Sequence, residues 1–174
     1  MEIVLTRELI AGAKDYLPDA VKEAWTAENA AKCFDKLQIT ADGEAMPPMY
    51  AVNASLKARY LMAAFAGLYL GAEYEAEADN VALMSVADYD RWAGSHVFNQ
   101  MERMKRFIEV RDKIFDIIED YRALEKRFHA AIGNLLTVQN DPVIRQNEVT
   151  SNAVKELPEV LKQLEALQAG KENA

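Results

Sequence analysis

Apolar residues in the second half of the chain recur at alternating spacings of four and three residues. This 3.5-residue repeat is typical of a helix whose apolar side winds around a partner helix. No proline interrupts the segment, so the pattern predicts one long helix over about residues 86–138. The members of the repeat, called the seam below, are Val110, Ile114, Ile117, Tyr121, Leu124, Phe128, Ala131, Leu135 and Val138.

Two helices are predicted near the N-terminus. Thr6 is a suitable N-cap for a first helix that extends to about Tyr16. Pro18 resets the backbone, and because proline is tolerated in the first helical turn it opens a second helix at about 19–37. Asp-Gly and Pro-Pro pairs then mark residues 38–48 as a loop.

A third helix is predicted after this loop, and a short one after the long helix. Pro47 and Pro48 are interpreted as the start signal of the third helix, at about 49–72. Asp141 and Pro142 should end the long helix and cap a short successor, because proline cannot continue a helix and aspartate is a favourable N-cap.

These elements define an all-α protein, an irregular bundle of four to six helices built around the long helix. The long helix is expected to run antiparallel to a C-terminal helix, which the leucine spacing predicts at about 153–168. Within one structural domain overall, the parts are an N-terminal helical part at 1–72, an acidic connector at 73–84, the long helix with the C-terminal hairpin at 85–168, and a frayed tail at 169–174.

The predicted long helix exceeds the size of a compact domain. About fifty residues at about 1.5 Å per residue give a length of about 75 Å. A compact domain of this chain length has a diameter of only about 40 Å. Either the helix breaks near Gly94 or Gly133, or its seam projects and must be covered by the C-terminal helix, another chain or both. The C-terminal helix is too short to cover the whole seam, so a second chain is expected to contribute.

Charge and cysteine content limit the classes of partner and compartment. The formal net charge is −8, which disfavours nucleic acid and membrane as partners because both surfaces are negatively charged. Cys33 is the only cysteine, so no disulfide can form within the chain and a reducing compartment is favoured. The N-terminus lacks a signal-peptide pattern, and the most apolar run, residues 61–72, is too short to span a bilayer. We therefore expect a cytoplasmic protein.

No residue pattern predicts catalysis, a metal or a cofactor. Neither histidine belongs to the Glu-x-x-His pair of carboxylate-bridged metal bundles. Glu125 and His129 are interpreted as a surface ion pair, because no third metal ligand is evident. The acidic connector lacks the residue spacing of a calcium-binding loop. Asp112, Asp116 and Asp120 form a like-charge ladder, interpreted as a solvated helix face.

The long seam and the missing catalytic pattern together predict a non-enzymatic interaction or assembly protein. Such a protein would be an adaptor or a small structural component of a larger complex, for example of a phage-type particle. It would bind protein, including copies of itself. The seam residues expected to carry the interaction are Val110, Ile114, Ile117, Tyr121, Leu124, Phe128 and Leu135.

An alternative is an enzyme or a small-ligand-binding helical protein. Its pocket would lie between the third helix and the start of the long helix, where side chains that commonly recognise ligands are concentrated. The residues assigned to this alternative pocket are Tyr60, Asp88, Arg91, Trp92 and His96.

Overall fold

The computed structural model describes residues 4–71, 97–147 and 151. In these ranges the chain is mainly helical, as predicted, and it also contains a two-stranded sheet that the all-α prediction did not include. Contacts divide the chain into two units, which are described separately. The first unit consists of Met1–Phe34 and Val52–Leu135, and the second consists of Asp35–Ala51 and Leu136–Ala174.

The first two helices begin where the sequence predicts. α1 (Arg7–Gly12) is capped by Thr6, whose hydroxyl accepts a backbone hydrogen bond at 3.1 Å. α2 (Asp19–Asn29) continues as a 3₁₀ turn, Ala30–Cys33. The predicted continuation of the second helix to residue 37 is wrong, because the chain becomes extended at Phe34.

Two strands, β1 (Phe34–Ala41) and β2 (Glu44–Val52), form a hairpin. Its turn consists of Asp42 and Gly43, whose φ angles of 54° and 84° are both left-handed. Asp-Gly favours this geometry, which is typical of a type I′ turn and matches the twist of the flanking strands. The predicted loop at 38–48 is therefore wrong, since its Asp-Gly pair is the turn of a hairpin.

The interpretation of Pro47 and Pro48 as a helix start is also wrong. Both prolines lie in β2, and a strand at the edge of a sheet tolerates residues that have no N–H to donate. α3 (Ala54–Ala64) begins later, after Asn53, whose side chain accepts a backbone hydrogen bond at 2.9 Å. A π-helical turn, Phe65–Tyr69, follows α3 directly.

The predicted long helix is interrupted. α4 (Val97–Met104) and α5 (Ile108–Gln139) are separated by three non-helical residues, 105–107. Gly133 lies within α5 and does not break it, whereas Gly94 lies outside the described residues. With 32 residues, α5 is about 48 Å long.

The predicted stop after the long helix is confirmed. α5 ends at Gln139, and a short helix follows at 142–147. The carboxylate of Asp141 accepts a hydrogen bond from the Val143 N–H at 2.9 Å, so Asp141 caps this short helix.

The first unit contains two clusters of buried apolar side chains, and α5 contributes to both. The larger cluster combines residues of α1, the π-helical turn and the first half of α5 with Met101 of α4. The smaller cluster surrounds Cys33 and includes the second half of α5. The largest buried side chains of the two clusters are Ile10, Leu17, Phe65, Tyr69, Met101, Ile114, Ile117, Leu124 and Phe128.

Several predicted features lie outside the described residues. They are the acidic connector at 73–84, the C-terminal helix at 153–168, the tail at 169–174 and the boundaries between the predicted parts. The antiparallel pairing with the C-terminal helix and the division into parts therefore stay predictions. Within the described ranges, every helix is too short or too polar to cross a lipid bilayer.

Candidate functional site

The predicted interaction seam forms the buried face of α5. Ile114, Ile117, Leu124 and Phe128 have no exposed surface, and Leu135 is half-buried. Val110 and Tyr121 are buried as well. These side chains lie on one side of the helix because residues three and four positions apart share a face.

The chain's own residues cover the seam from Val110 to Phe128, whereas Val138 at its end is 52% exposed. The Trp25 ring of α2 lies 4.7 Å from the Phe128 ring between centroids. The Phe65 ring lies 5.3 Å from that of Tyr121, with an edge-to-face arrangement. A second chain is expected only if the seam exceeds what one molecule can shelter, and the seam residues from Val110 to Phe128 are buried within the chain itself. Binding through the seam stays a prediction, and it would require these side chains to be uncovered.

A buried polar cluster lies beside the seam, centred on the carboxylate of Asp120. One carboxylate oxygen accepts a hydrogen bond from the ammonium group of Lys22 on α2. The other accepts from the Leu17 N–H at 3.0 Å and from the Tyr69 hydroxyl at 2.9 Å. The side chains of Lys22 and Asp120 are only 4% and 9% exposed. We call these four groups the Asp120 cluster.

The environment of Tyr69 favours its neutral form. Burial raises the pKa of this phenol, and the hydrogen bond to Asp120 and the negative charge of that carboxylate raise it further. Tyr69 is therefore a hydrogen-bond donor at neutral pH. Since both oxygens of Asp120 already accept from protein donors, the cluster is suited to fixing the segment before α2, α2 itself and the π-helical turn on α5.

The interpretation of the aspartate ladder as solvated is wrong for one member. Asp112 and Asp116 are exposed, whereas Asp120 is nearly buried. The sequence position of Asp120 indicates this burial, because Asp120 follows Ile117 by three residues and precedes Leu124 by four. It therefore lies on the apolar face of the helix. The residues that pair with it could not be identified, since nothing in the sequence links Lys22 or Tyr69 to this position.

Six of the eleven large apolar side chains that are exposed among the described residues lie in the second unit, which is the smaller of the two. In its described part, residues 35–51, 136–147 and 151, six large apolar side chains are each at least 37% exposed. None of its described residues belongs to the buried apolar clusters. We call these side chains the exposed apolar set: Leu37, Met46, Met49, Val138, Val143 and Ile144.

Two polar side chains of the second unit bind the backbone of β2. The Asn140 amide accepts from the Tyr50 N–H and donates to the Tyr50 carbonyl, both at 2.8 Å. The Arg145 guanidinium donates to the carbonyls of Pro48 at 2.9 Å and Pro47 at 2.6 Å. Asn140 thus makes the pair of hydrogen bonds that a residue of a neighbouring strand would make.

An open groove of about 410 Å³ lies between α1 and the start of α5. The Arg7 guanidinium crosses it to the Glu109 carboxylate at 2.9 Å, and each side chain is 52% exposed. An ion pair this exposed contributes little to stability. The polar side chains that line this groove, Arg7, Glu8 and Glu109, are all exposed. A ligand site usually combines an enclosed apolar pocket with a few polar groups that converge on the ligand.

The alternative ligand pocket cannot be assembled from the described residues. Tyr60 is half-buried and packs against the smaller apolar cluster, with the Lys32 ammonium 5.9 Å from its ring centroid. Asp88, Arg91, Trp92 and His96 lie outside the described residues. This pocket therefore stays a prediction.

Metal-binding and thiol chemistry find little support in the described ranges. No group of three or more His, Cys, Asp or Glu side chains there could hold a metal ion. The Cys33 thiol is buried, and burial raises its pKa to about 11. Because the thiolate is the reactive form, Cys33 acts as a small apolar core residue.

Comparison with known proteins assigns no function to these features. Comparisons of the chain with protein-family models, with curated proteins and with solved structures find no match.

Proposed function

We propose that the protein is a non-enzymatic interaction or assembly protein, an adaptor or a small structural component of a larger complex. Its partners are proteins, including copies of itself. The contact surface is the exposed apolar set, which shares only Val138 with the seam, because the seam residues from Val110 to Phe128 are already packed in the core of the first unit.

The observation that carries this proposal is the exposure of the apolar set. Val143 is 68% exposed and Val138 is 52% exposed, so both leave apolar surface in contact with water. Burying such surface against a partner contributes roughly 25 cal/mol per Å². We infer that these side chains contribute to one contact surface, since contiguous exposed apolar patches are typical of protein contact sites.

The Asp120 cluster supports a structural role over a catalytic one. A general base needs an acceptor within reach of a substrate proton, and the acceptors here are engaged by Leu17, Lys22 and Tyr69. The buried Cys33 thiol is likewise a poor nucleophile. A cytoplasmic location accompanies the proposal, since a chain with one buried cysteine does not depend on an oxidising compartment.

Replacing one member of the exposed apolar set tests this function. Val143→Asp places a charge on the short helix at 142–147, whose first turn is already capped by Asp141. Asn147→Asp adds the same charge at another exposed position of that helix and is the matched control. The tagged chain and both variants are recovered from the native cell extract, and each is examined alone by sedimentation velocity.

We expect the Val143→Asp chain to lose at least tenfold in self-association or in the recovery of one stoichiometric protein partner. Asn147→Asp should behave like the unmodified chain, and circular dichroism should show equal helicity in all three. A chain that is monomeric at every concentration and recovers the same proteins as Val143→Asp would contradict the proposed function.

A further inference from the structure

The two edges of the β1–β2 hairpin differ. The outer edge of β2 is occupied within the second unit, because Asn140 binds the backbone of Tyr50 and Arg145 binds the carbonyls of Pro47 and Pro48. The two prolines also have no N–H to offer to another strand. Strand addition at the β2 edge is therefore blocked by the chain itself.

The hairpin register identifies which β1 residues face its outer edge. The two-residue turn pairs Ala41 with Glu44, whereas the hydrogen bond from the Asn53 N–H to the Cys33 carbonyl at 2.8 Å pairs the strand ends. The two pairings differ by one residue. β2 therefore contains one extra residue, and β1 keeps a regular alternation.

The register of the strand ends, in which Cys33 pairs with Asn53, places Lys36 opposite Tyr50. The Lys36 ammonium lies 5.9 Å from the Tyr50 ring centroid, which agrees with this register. The backbone groups of Tyr50 point away from β1, because Asn140 binds both. Opposite residues of an antiparallel pair point their backbone groups either toward each other or apart. By alternation along β1, the N–H and C=O groups of Gln38 and Thr40 face the outer edge.

We propose that β1 pairs antiparallel with β1 of a second copy of the chain, about a two-fold axis at Gln38. This inference rests on the self-association included in the proposed function, and it specifies the strand and the register. Gln38 exchanges two backbone hydrogen bonds with Gln38 of the second copy. Two hairpins then form one four-stranded sheet, which is more stable than isolated two-stranded hairpins.

The side chains of β1 are self-complementary in this register. Leu37, which is 47% exposed in one chain, lies opposite Ile39 of the second copy, and the two-fold axis repeats the pair. Four apolar side chains then share one face of the sheet. Asp35 lies opposite Ala41 and Lys36 opposite Thr40, so no like charges face each other. This complementarity favours a second copy over an unrelated strand.

Cysteine cross-linking tests the register directly. In a Cys33→Ser background, Gln38→Cys brings two cysteines to directly opposite positions, with a Cα separation of about 5.5 Å that permits a disulfide. Thr40→Cys is the matched control, since it is on the same edge of β1 but lies opposite residue 36 of the second copy. Two Thr40→Cys positions would be about 13 Å apart at about 3.3 Å per residue, too far for a disulfide.

We expect the oxidised Gln38→Cys chain to run as a covalent dimer in non-reducing electrophoresis, with at least tenfold more dimer than Thr40→Cys. A mixture of Lys36→Cys and Thr40→Cys chains should form the mixed dimer. Equal cross-linking at positions 38 and 40, or no cross-linking at either, would overturn the proposed pairing.

Sedimentation of the Gln38→Pro chain provides a second readout. Proline removes an N–H that faces away from β2, so the hairpin keeps its own hydrogen bonds while the dimer loses two. We expect a monomer with unchanged helicity. If Gln38→Cys fails to cross-link while Val143→Asp still abolishes association, the strand pairing is wrong and the proposed function stands. If both variants behave like the unmodified chain, both proposals fail.

Discussion

Lys22 and Asp120 are 98 residues apart in the sequence and form an ion pair that water hardly reaches. Removing charged groups from water costs several kcal/mol per ion, and the remaining hydrogen bonds must offset this cost. The Leu17 N–H and the Tyr69 hydroxyl supply them. The pair therefore fixes one arrangement of α2 and α5, since any slip of either helix leaves a buried charge unpaired.

We expect Asp120→Asn to destabilise the protein strongly. The amide cannot neutralise the buried Lys22 ammonium, and breaking a buried ion pair on one side lowers the free energy of unfolding by about 3–5 kcal/mol. Urea unfolding followed by circular dichroism measures this change. Asp116→Asn, on the exposed part of the same helix, is the control and should shift the free energy by about 0.5 kcal/mol or less.

The double variant Lys22→Met, Asp120→Leu distinguishes charge burial from packing. Apolar side chains of similar size remove both charges together, so the double variant should recover most of the stability lost in Asp120→Asn. A double variant as unstable as the single one would show that the hydrogen bonds from Leu17 and Tyr69, and not the unpaired charge, are responsible.

Stability should fall in alkaline solution because of Tyr69. Its pKa is raised in the folded state, so the folded protein keeps a proton that the unfolded chain releases above pH about 10. The contribution of Tyr69 to stability is therefore complete below that pH and is lost as the pH rises above it. Urea midpoints between pH 8 and 11 should decrease less steeply for Tyr69→Phe than for the unmodified chain. Parallel slopes would contradict this assignment.

Replacing Phe128 and Phe115 compares the contribution of a buried and an exposed phenylalanine of α5 to the free energy of unfolding. Phe128 is fully buried, whereas Phe115 is 51% exposed. Phe128→Ala should lower the free energy of unfolding by about 3–5 kcal/mol through the cavity it leaves. Phe115→Ala should change it by about 0.5 kcal/mol or less. If Phe128→Ala instead weakened association and left unfolding unchanged, Phe128 would be an interface residue.

Asn140→Ala should loosen the edge of β2. The change leaves the N–H and the C=O of Tyr50 without the Asn140 amide. Loss of about 1.4 kcal/mol of local protection corresponds to tenfold faster amide exchange. Hydrogen exchange of the Tyr50 amide, followed by NMR, measures this rate. Asn147→Ala, on the short helix at 142–147, should leave it unchanged.

N-capping residues in the sequence predicted two helix starts correctly. Thr6 and Asp141 cap helices as expected, because a short polar side chain before a helix can bind its free N–H groups regardless of tertiary context. The seam of α5 was also located correctly. The contacts that Trp25 and Phe65 make with it were not predicted, because periodicity shows that a face is apolar and does not show what covers it.

The hairpin was missed because the Asp42-Gly43 pair was assigned to a loop and the Pro47-Pro48 pair to the start of a helix. Asp42-Gly43 lies between apolar residues Ile39 and Met46, a pattern that favours a hairpin. The Pro47-Pro48 pair argued against a strand. Tertiary contacts resolved the conflict, since Arg145 binds the two proline carbonyls. A residue about 97 positions away cannot be recognised from local sequence.

The break between α4 and α5 had no sequence signal that could be used. Residues 105–107 contain no glycine or proline, and all three are compatible with a helix. Phe107 packs against the larger apolar cluster, a tertiary contact that the local sequence does not reveal. The Asp120 cluster was missed because it too depends on tertiary contacts. Lys22 and Tyr69 are 98 and 51 residues away from Asp120 in the chain.

The position of the Asp120 cluster in the chain also affects the protein during its synthesis. Leu17 and Lys22 leave the ribosome 103 and 98 residues before Asp120. At about 5–20 residues per second this delay is about 5–20 s. During that time the apolar sides of α1 and α2 have no α5 to pack against, so they stay exposed to water until α5 has been synthesised.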